Sequence, residues 1–360
     1  VAGHDTLSAL AAGCPVLVKA HPAHPRLGVR LGQVVAASLA ESGAPAGAFG
    51  LLVGFDAGLA LVDAPEVRAV AFTGSQAAGM ALVQRASARP EPVPVFAEMG
   101  TVNPVVLTPA AARGDLAAIA AAFVGSFTLG QGQFCTKPGL LLAPRDSGAA
   151  DAVVAALTSA TPGWLLTEGM ATSYEAGLRS LVAAGARRIG QGDRNTSGFA
   201  VAPTVFAADI ADLVPGSPLL EECFGPVALV AEYDDAAQLA TVLGRLHPSL
   251  AGAVATGGAD DPDTAWLVAH LSTRVGRVVV NGWPTGVATS WAQQHGGPWP
   301  VTSRPDATSV GAAALDRFTR PVAFQNVPES ALPAALRADN PWSLPRRVNG
   351  VLEAPEGGRP

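Results

Sequence analysis

The feature that most constrains this chain is an alternation, over its first hundred residues, of short apolar runs with Gly-rich turns and helical patterns. Pro15-Val16-Leu17-Val18-Lys19 reads as a buried strand, a His/Pro loop follows, and a helix runs from about Gly28 to Glu41. The order then repeats: strand Gly50 to Val53, short helix Gly58 to Asp63, and strand Val67 to Phe72 closing on Thr73-Gly74-Ser75, where a helix starts that reaches about Ala86. Strands linked through helices pair in parallel, are covered on both faces, and offer a ligand the edge at their carboxyl ends. The expectation is therefore an α/β fold with a doubly wound sheet over residues 1–99. Past Pro94-Val95-Phe96-Ala97-Glu98 a second α/β block begins, with strand Pro104 to Leu107, helix Leu116 to Phe127 and strand Gly139 to Ala143. It is assigned to residues 100–320. The remaining 321–360 are rich in Pro, Asn and Arg with Phe324, Leu332, Leu336 and Trp342 interspersed, and read as an arm that packs on other parts of the chain or on another subunit.

Composition limits the partners. The 360 residues suit two large domains, and 49% hydrophobic against 14% charged residues demands extensive burial rather than disorder. A net charge of −6 offers no basic field for phosphate backbones or anionic lipid, so nucleic acid and membrane partners are disfavoured. Cys14, Cys135 and Cys223 are too few and too scattered for a disulfide framework, which fits a reducing cytoplasm. His21 and His24 share a Pro-rich loop with no third ligand, so no metal is expected. Val1-Ala2-Gly3-His4-Asp5-Thr6 runs straight into a helical pattern, as if the chain begins mid-domain. A start set inside a longer reading frame and a fragment of a longer protein both account for this.

Two segments carry chemistry. Gly130-Gln131-Gly132-Gln133-Phe134-Cys135-Thr136 places a thiol in a Gly-rich turn at the end of a helix, where backbone amides can face a developing oxyanion and lower the thiol pKa. Glu98 is a lone carboxylate among apolar residues in Phe96-Ala97-Glu98-Met99-Gly100-Thr101-Val102-Asn103-Pro104. Desolvation raises such a carboxyl and fits it to act as a general base near neutrality. Taken singly, Cys135 is a small buried hydrophobe and Glu98 a loop carboxylate; their pairing is what points to catalysis.

That pairing resembles the aldehyde dehydrogenase superfamily, whose signatures are a glutamate in E-L/M-G-x-x-x-P followed by a cysteine in G-Q-x-C-T. Lys19 matches the lysine on the adenosine ribose, Phe72-Thr73-Gly74-Ser75 with Gly79 the pyrophosphate turn, and Glu222-Cys223-Phe224-Gly225-Pro226 the element whose glutamate holds the nicotinamide ribose and whose phenylalanine lies on the nicotinamide. The resemblance implies a Rossmann-like cofactor domain, an α/β catalytic domain, and a homo-oligomer. It also implies that the fold's N-terminal portion, with the asparagine that completes the oxyanion hole, lies before Val1; loss of such a donor costs on the order of 100- to 1,000-fold in turnover.

The implied reaction oxidises an aldehyde to an acid with reduction of NADP or NAD, through a thiohemiacetal and a thioester on Cys135 that Glu98 helps to hydrolyse. NAD-preferring relatives carry a glutamate three residues after the lysine; here Pro22 stands there, so with Lys19, His21 and Arg26 nearby NADP is expected, alongside NAD. The Lys-Ala-His-Pro-Ala-His-Pro run, Val280-Asn281-Gly282-Trp283-Pro284-Thr285-Gly286 and Gln294-His295-Gly296-Gly297-Pro298 look most like the branch holding 2,5-dioxopentanoate (α-ketoglutarate semialdehyde) dehydrogenases and an NADP-dependent fatty-aldehyde dehydrogenase. Lys137 beside the nucleophile is a cation that helps the thiolate or reshapes the substrate mouth. His247, His270, Trp164 and Trp291 read as packing or pocket walls. Competing readings are a catalytically weak or inactive homologue acting as a subunit or scaffold, a CoA-acylating relative, and a nucleotide-binding module. Retention of Cys135 and Glu98 argues against the first, Glu98 as a deacylating base against the second, and the Gly-Gln-Gly-Gln-Phe-Cys turn against the third.

Overall fold

The structure is a computed structural model that describes residues 1–287 and 290–353. Residues Val1–Phe318 form one compact unit and a second begins at Thr319. The first opens with α1 (His4–Ala11), β1 (Val16–Lys19), α2 (Pro25–Glu41), β2 (Phe49–Leu52), α3 (Phe55–Asp63), β3 (Val70–Gly74), α4 (Gln76–Ser87) and β4 (Val95–Met99). The expected β/α alternation is present with shifted ends, and the short helix expected from Gly58 starts at Phe55. The second long helix starts at Pro25 rather than Gly28, because proline is accommodated in a first turn whose amide has no helical partner. The strand expected at Val67 starts at Val70, since Val67 closes a turn by donating to Ala64 O. The strands pair in parallel as β1–β2 and β3–β4, two separate ladders among the described residues.

The chain continues through β5 (Pro104–Leu107), α5 (Pro109–Ala112), α6 (Leu116–Thr128), β6 (Leu140–Pro144), α7 (Ala149–Ala156), β7 (Gly163–Trp164), α8 (Glu168–Ala183), β8 (Arg187–Gln191), β9 (Ala200–Val201), β10 (Thr204–Ala208), β11 (Val227–Tyr233), α9 (Ala236–Arg245), β12 (Ser249–Ala255), α10 (Thr264–Ser272) and β13 (Val275–Val280). Seven strands form one sheet in the order β13-β12-β5-β6-β11-β10-β8, parallel throughout except for β8.

Strand alternation splits the core into two layers. Leu140 and Leu142 of β6 and Leu229 of β11 face Tyr174 and Leu181 of α8, Leu239 and Leu243 of α9, and Leu267 of α10. Leu141 of β6 and Val230 of β11 face the other way, onto Phe123 and Phe127 of α6 and Val153 of α7. Burying each such side chain contributes about 1.5–3 kcal/mol, so the central strands form a rigid platform. Asp261 is a polar anchor inside it, accepting from Thr108 Oγ1 (2.6 Å) and from the amides of Gly257 and Asp263 (2.8 and 3.0 Å). These bonds outweigh burial and hold its carboxyl below the usual range.

The second unit has short helical turns at Glu329–Ala331 and Ala334–Leu336 and an antiparallel hairpin, β14 (Arg346–Val348) with β15 (Val351–Glu353). Asn349 and Gly350 turn it with φ of 49° and 83°, the left-handed geometry of a two-residue hairpin loop. Among the described residues no helix is long and apolar enough to cross a membrane, and no cluster of three or more His, Cys, Asp and Glu could hold a metal.

Candidate active site

The nucleophile segment is set by backbone geometry. At the end of α6 the chain adopts left-handed conformations at Gly130, Gln131 and Gly132, with φ of 56°, 59° and 67°. This reverses the chain and delivers Cys135 just ahead of β6, the central strand of the sheet. A Cβ at Gly132 would fall inside the carbonyl of Gly225, so the turn lies backbone to backbone against Gly225-Pro226. Gln133 braces it, accepting from Leu166 N (2.9 Å) and donating to Gly130 O (2.9 Å). Asn103, fully buried, donates through Nδ2 to the carbonyls of Cys135 (2.8 Å) and Lys137 (3.0 Å).

Glu98 is the fourth residue of β4 and 9% exposed. The strand is held on one side by β3, where Thr73 pairs with Glu98 and Gly74 with Met99, and on the other by Thr302, which bridges Glu98. Ser309 Oγ donates to Glu98 Oε1 at 2.7 Å. Burial pushes the Glu98 carboxyl up to about 7, the Ser309 bond and Arg317 pulling down and Asp5 pushing up. Desolvation thus raises this carboxyl, as the apolar sequence around it implies.

Between the two stands His295, 6% exposed, its Nε2 3.8 Å from Cys135 Sγ and 3.7 Å from Glu98 Oε2. Thr308 Oγ1 accepts from its amide (2.8 Å), and its carbonyl accepts from Ser309 N (3.0 Å), the residue that bonds Glu98. Burial, then Arg277 and His4, lower its pKa to about 4, so near neutrality it is a neutral ring rather than an ion-pair partner of Glu98. Sequence reasoning missed it: Gln294-His295-Gly296-Gly297-Pro298 marked a branch, and nothing local said that the histidine reaches the thiol.

The thiol itself corrects one expectation. Burial first, then the Glu98 carboxylate, push Cys135 up to about 11; the amides of Cys135 and Thr136 pull it down by less. The turn alone does not make a thiolate. Lys137 corrects another: its ammonium does not face the thiol but donates to the carbonyls of Cys223 (3.1 Å) and Val227 (2.9 Å). Arg277, coupled to both Cys135 and His295, spends its guanidinium on the carbonyls of Pro284 and Gly286, both at 2.6 Å.

Of the residues matched to cofactor binding, Lys19 and Gly74 end strands, Ser75 and Gly79 belong to the start of α4, and Glu222 and Phe224 lie in the loop before β11. Lys19 ends β1, its stem lying 3.4 Å from where a Cβ of Gly58 in α3 would stand. Gly74 ends β3, and Ser75 caps α4 by accepting from Ala78 N (3.3 Å). A Cβ at Gly79 would meet Met99 Sδ at 2.6 Å, so glycine there lets α4 lie close on β4. The β3–β4 register thus puts the Gly74-Ser75 turn beside Glu98, and Gly100 N donates to Gly74 O (3.2 Å). Glu222 lies with its carboxylate where a Cβ of Gly100 would be, and Phe224 is part-buried in the same segment. Burial raises the Glu222 carboxyl to about 7, Lys137 pulling against it. His21, near Lys19 in the sequence, accepts from Ala23 N through Nδ1 (3.2 Å), and burial and Lys19 lower its pKa.

The sequence model of the aldehyde dehydrogenase family matches residues 1–299. The chain belongs to that family. It is 45% identical over 361 aligned residues to alpha-ketoglutaric semialdehyde dehydrogenase 2 of Azospirillum brasilense and 42% identical over 359 to alpha-ketoglutaric semialdehyde dehydrogenase of Acinetobacter baylyi, in each case over 98% of this chain and 68% of the relative. Among solved structures, gamma-glutamyl-gamma-aminobutyraldehyde dehydrogenase of Burkholderia cenocepacia superposes with a TM-score of 0.75 at 26% identity, and an indole-3-acetaldehyde dehydrogenase in complex with NAD+ with 0.75 at 25%. Each of those two alignments covers 88% of this chain and 63% of the other.

Proposed function

We propose that the chain oxidises an aldehyde to its carboxylic acid with NADP, and with NAD as a second acceptor, through a thioester on Cys135. The observation that carries this is the series Cys135 Sγ, His295 Nε2, Glu98 Oε2, spaced 3.8 and 3.7 Å. The thiol proton passes by way of His295 to the Glu98 carboxylate, the stronger base of the two, which gives it up to solvent, and the sulfur adds to the aldehyde carbon. Collapse of the resulting thiohemiacetal releases hydride and leaves the thioester. Glu98, raised to about 7 and therefore basic enough near neutrality, takes a proton from water. The hydroxide adds to the thioester carbon, the C–S bond breaks, and the acid departs from a regenerated sulfur. The oxidised nicotinamide, when bound, supplies the hydride acceptor.

The residues present fit a dinucleotide. The 12-residue helix α4 starts at a strand end, where free amides favour phosphate, Lys19 ends the neighbouring parallel pair, and Glu222 sits two residues' reach from the general base on Gly100. In this reading residues 1–99 bind cofactor with Lys19, Gly74, Ser75 and Gly79; residues 100–320 carry catalysis, with Glu222 and Phe224 at the nicotinamide end; 321–360 are an arm of a homo-oligomer in the cytoplasm. Pro22 in place of a carboxylate removes repulsion of a 2′-phosphate. The relatives at 45% and 42% identity support α-ketoglutarate semialdehyde as the substrate. The test follows nicotinamide reduction by the chain with that semialdehyde and with medium-chain aldehydes, beside Cys135→Ala. Turnover that requires Cys135 and favours the semialdehyde supports the proposal; an intact, folded chain with no Cys135-dependent turnover on any aldehyde supports the subunit or scaffold reading instead.

A further inference from the structure

Lys137 is two residues from the nucleophile, yet its side chain turns away from the reacting groups. It is 3% exposed, and Nζ donates to Cys223 O and Val227 O. Those two carbonyls bracket the segment from Cys223 to the start of β11, so a single ammonium holds both ends of the strip that carries Phe224 and follows Glu222 directly. Burying a lysine costs several kcal/mol of desolvation, and an apolar side chain of the same length would fill the space without that cost. What the lysine adds is the pair of bonds and, against the burial that disfavours its charged form, an attraction for the Glu222 carboxylate.

Three further contacts make the strip and the nucleophile turn one assembly. Asn103 fixes the carbonyls of Cys135 and Lys137. The Gly132 and Gly225 backbones touch, and Glu222 fills the space over Gly100, two residues beyond Glu98. A pocket of about 320 Å³, counted with its open mouth and lined by Thr101, Val102, Lys137, Glu222 and Cys223 among others, lies beside the clamp. Without the ammonium the strip has room to relax into it.

We propose that Lys137 is a positioning residue that sets Glu222 and Phe224 for the nicotinamide end of the cofactor. This rests on the cofactor reading of Glu222 given above. Unlike a general stabilising role, it affects only one half of the dinucleotide: the adenosine half is held at Lys19 and Ser75, on other elements.

The experiment is equilibrium titration of the full chain, by tryptophan fluorescence or calorimetry, with NADP and separately with AMP, for the unaltered chain, Lys137→Met, Lys137→Gln and Glu222→Gln. Lys137→Met keeps the length and removes the donors; Lys137→Gln keeps two N–H donors without the charge. Lys137→Met is expected to weaken NADP by about tenfold, to leave AMP within about twofold, and to add little in combination with Glu222→Gln. Lys137→Gln is expected to fall between. Unchanged NADP affinity in Lys137→Met, or equal weakening of NADP and AMP, overturns the inference. If Lys137→Met does not fold, Lys137→Gln decides by the same two criteria. Failure of the unaltered chain to bind NADP or NAD overturns the cofactor reading first, and this inference with it.

Discussion

Replacing Ser309 with alanine removes the hydrogen bond that favours the ionised form of Glu98. In the intact site burial drives that carboxyl to about 7 while Ser309 Oγ, 2.7 Å from Oε1, pulls against it. A hydrogen bond to a charged group contributes about 1.5–3 kcal/mol, and a tenfold change in a protonation equilibrium corresponds to about 1.4 kcal/mol. At the lower end of that range, loss of the bond moves the Glu98 midpoint alkaline by about one pH unit. Deacylation requires ionised Glu98, so its rate climbs with pH through the midpoint and levels off above it. Hydrolysis of an activated ester through Cys135 reads this step without any cofactor. The expected result is a limb centred near pH 7 in the intact chain and about one pH unit higher in Ser309→Ala, with the same upper plateau. A midpoint that stays in place or moves to lower pH would refute the assignment of the limb to a Glu98 held by Ser309.

The same burial has a price in stability. The Glu98 carboxyl is raised in the folded state, so its contribution is fully present below the unfolded value near 4.5 and is lost as pH rises through about 7; Glu98→Gln should therefore exceed the intact chain by up to about 3 kcal/mol at about pH 8 in chemical denaturation, and match it near pH 4, and parity at about pH 8 would count against a buried ionised carboxylate. Gly132→Ala places a Cβ inside the Gly225 carbonyl on a residue with φ of 67°, so alkylation of Cys135 by iodoacetamide should slow by about tenfold or more with the far-ultraviolet circular dichroism retained; an unchanged rate would mean the turn does not depend on that contact. Thr108→Val leaves buried Asp261 short of one donor and should cost about 1–3 kcal/mol at neutral pH. Because the Asp261 carboxyl is lowered in the folded state, that stability is present above its unfolded value and fades as pH falls, so the loss should shrink in acid; a deficit independent of pH would assign the effect to packing.

What could be read from the sequence was what local pattern encodes. The strand ends that carry Lys19 and Gly74 follow from apolar runs closing on turn residues, and the Cys135 turn from its glycines. Contacts between distant segments could not be read. His295 reaches Cys135 across 160 positions and Ser309 reaches Glu98 across 211, through loops whose path is fixed by packing rather than by periodicity. The thiol's raised pKa was misjudged for a related reason: the amides are local and visible, whereas the desolvation that outweighs them is made by the folded surroundings. Lys137 was read by its neighbour in sequence, but strand β11 and Cys223, some ninety positions away, are what it bonds.

The most direct test of a thioester on Cys135 that Glu98 resolves is mass spectrometry of Glu98→Gln mixed with α-ketoglutarate semialdehyde and NADP. The account predicts an accumulating adduct on the Cys135 peptide, equal in mass to the aldehyde less two hydrogens, with a matching burst of reduced nicotinamide and then almost no turnover. Sustained turnover without an adduct, or an adduct on Cys14 or Cys223 in place of Cys135, would contradict it.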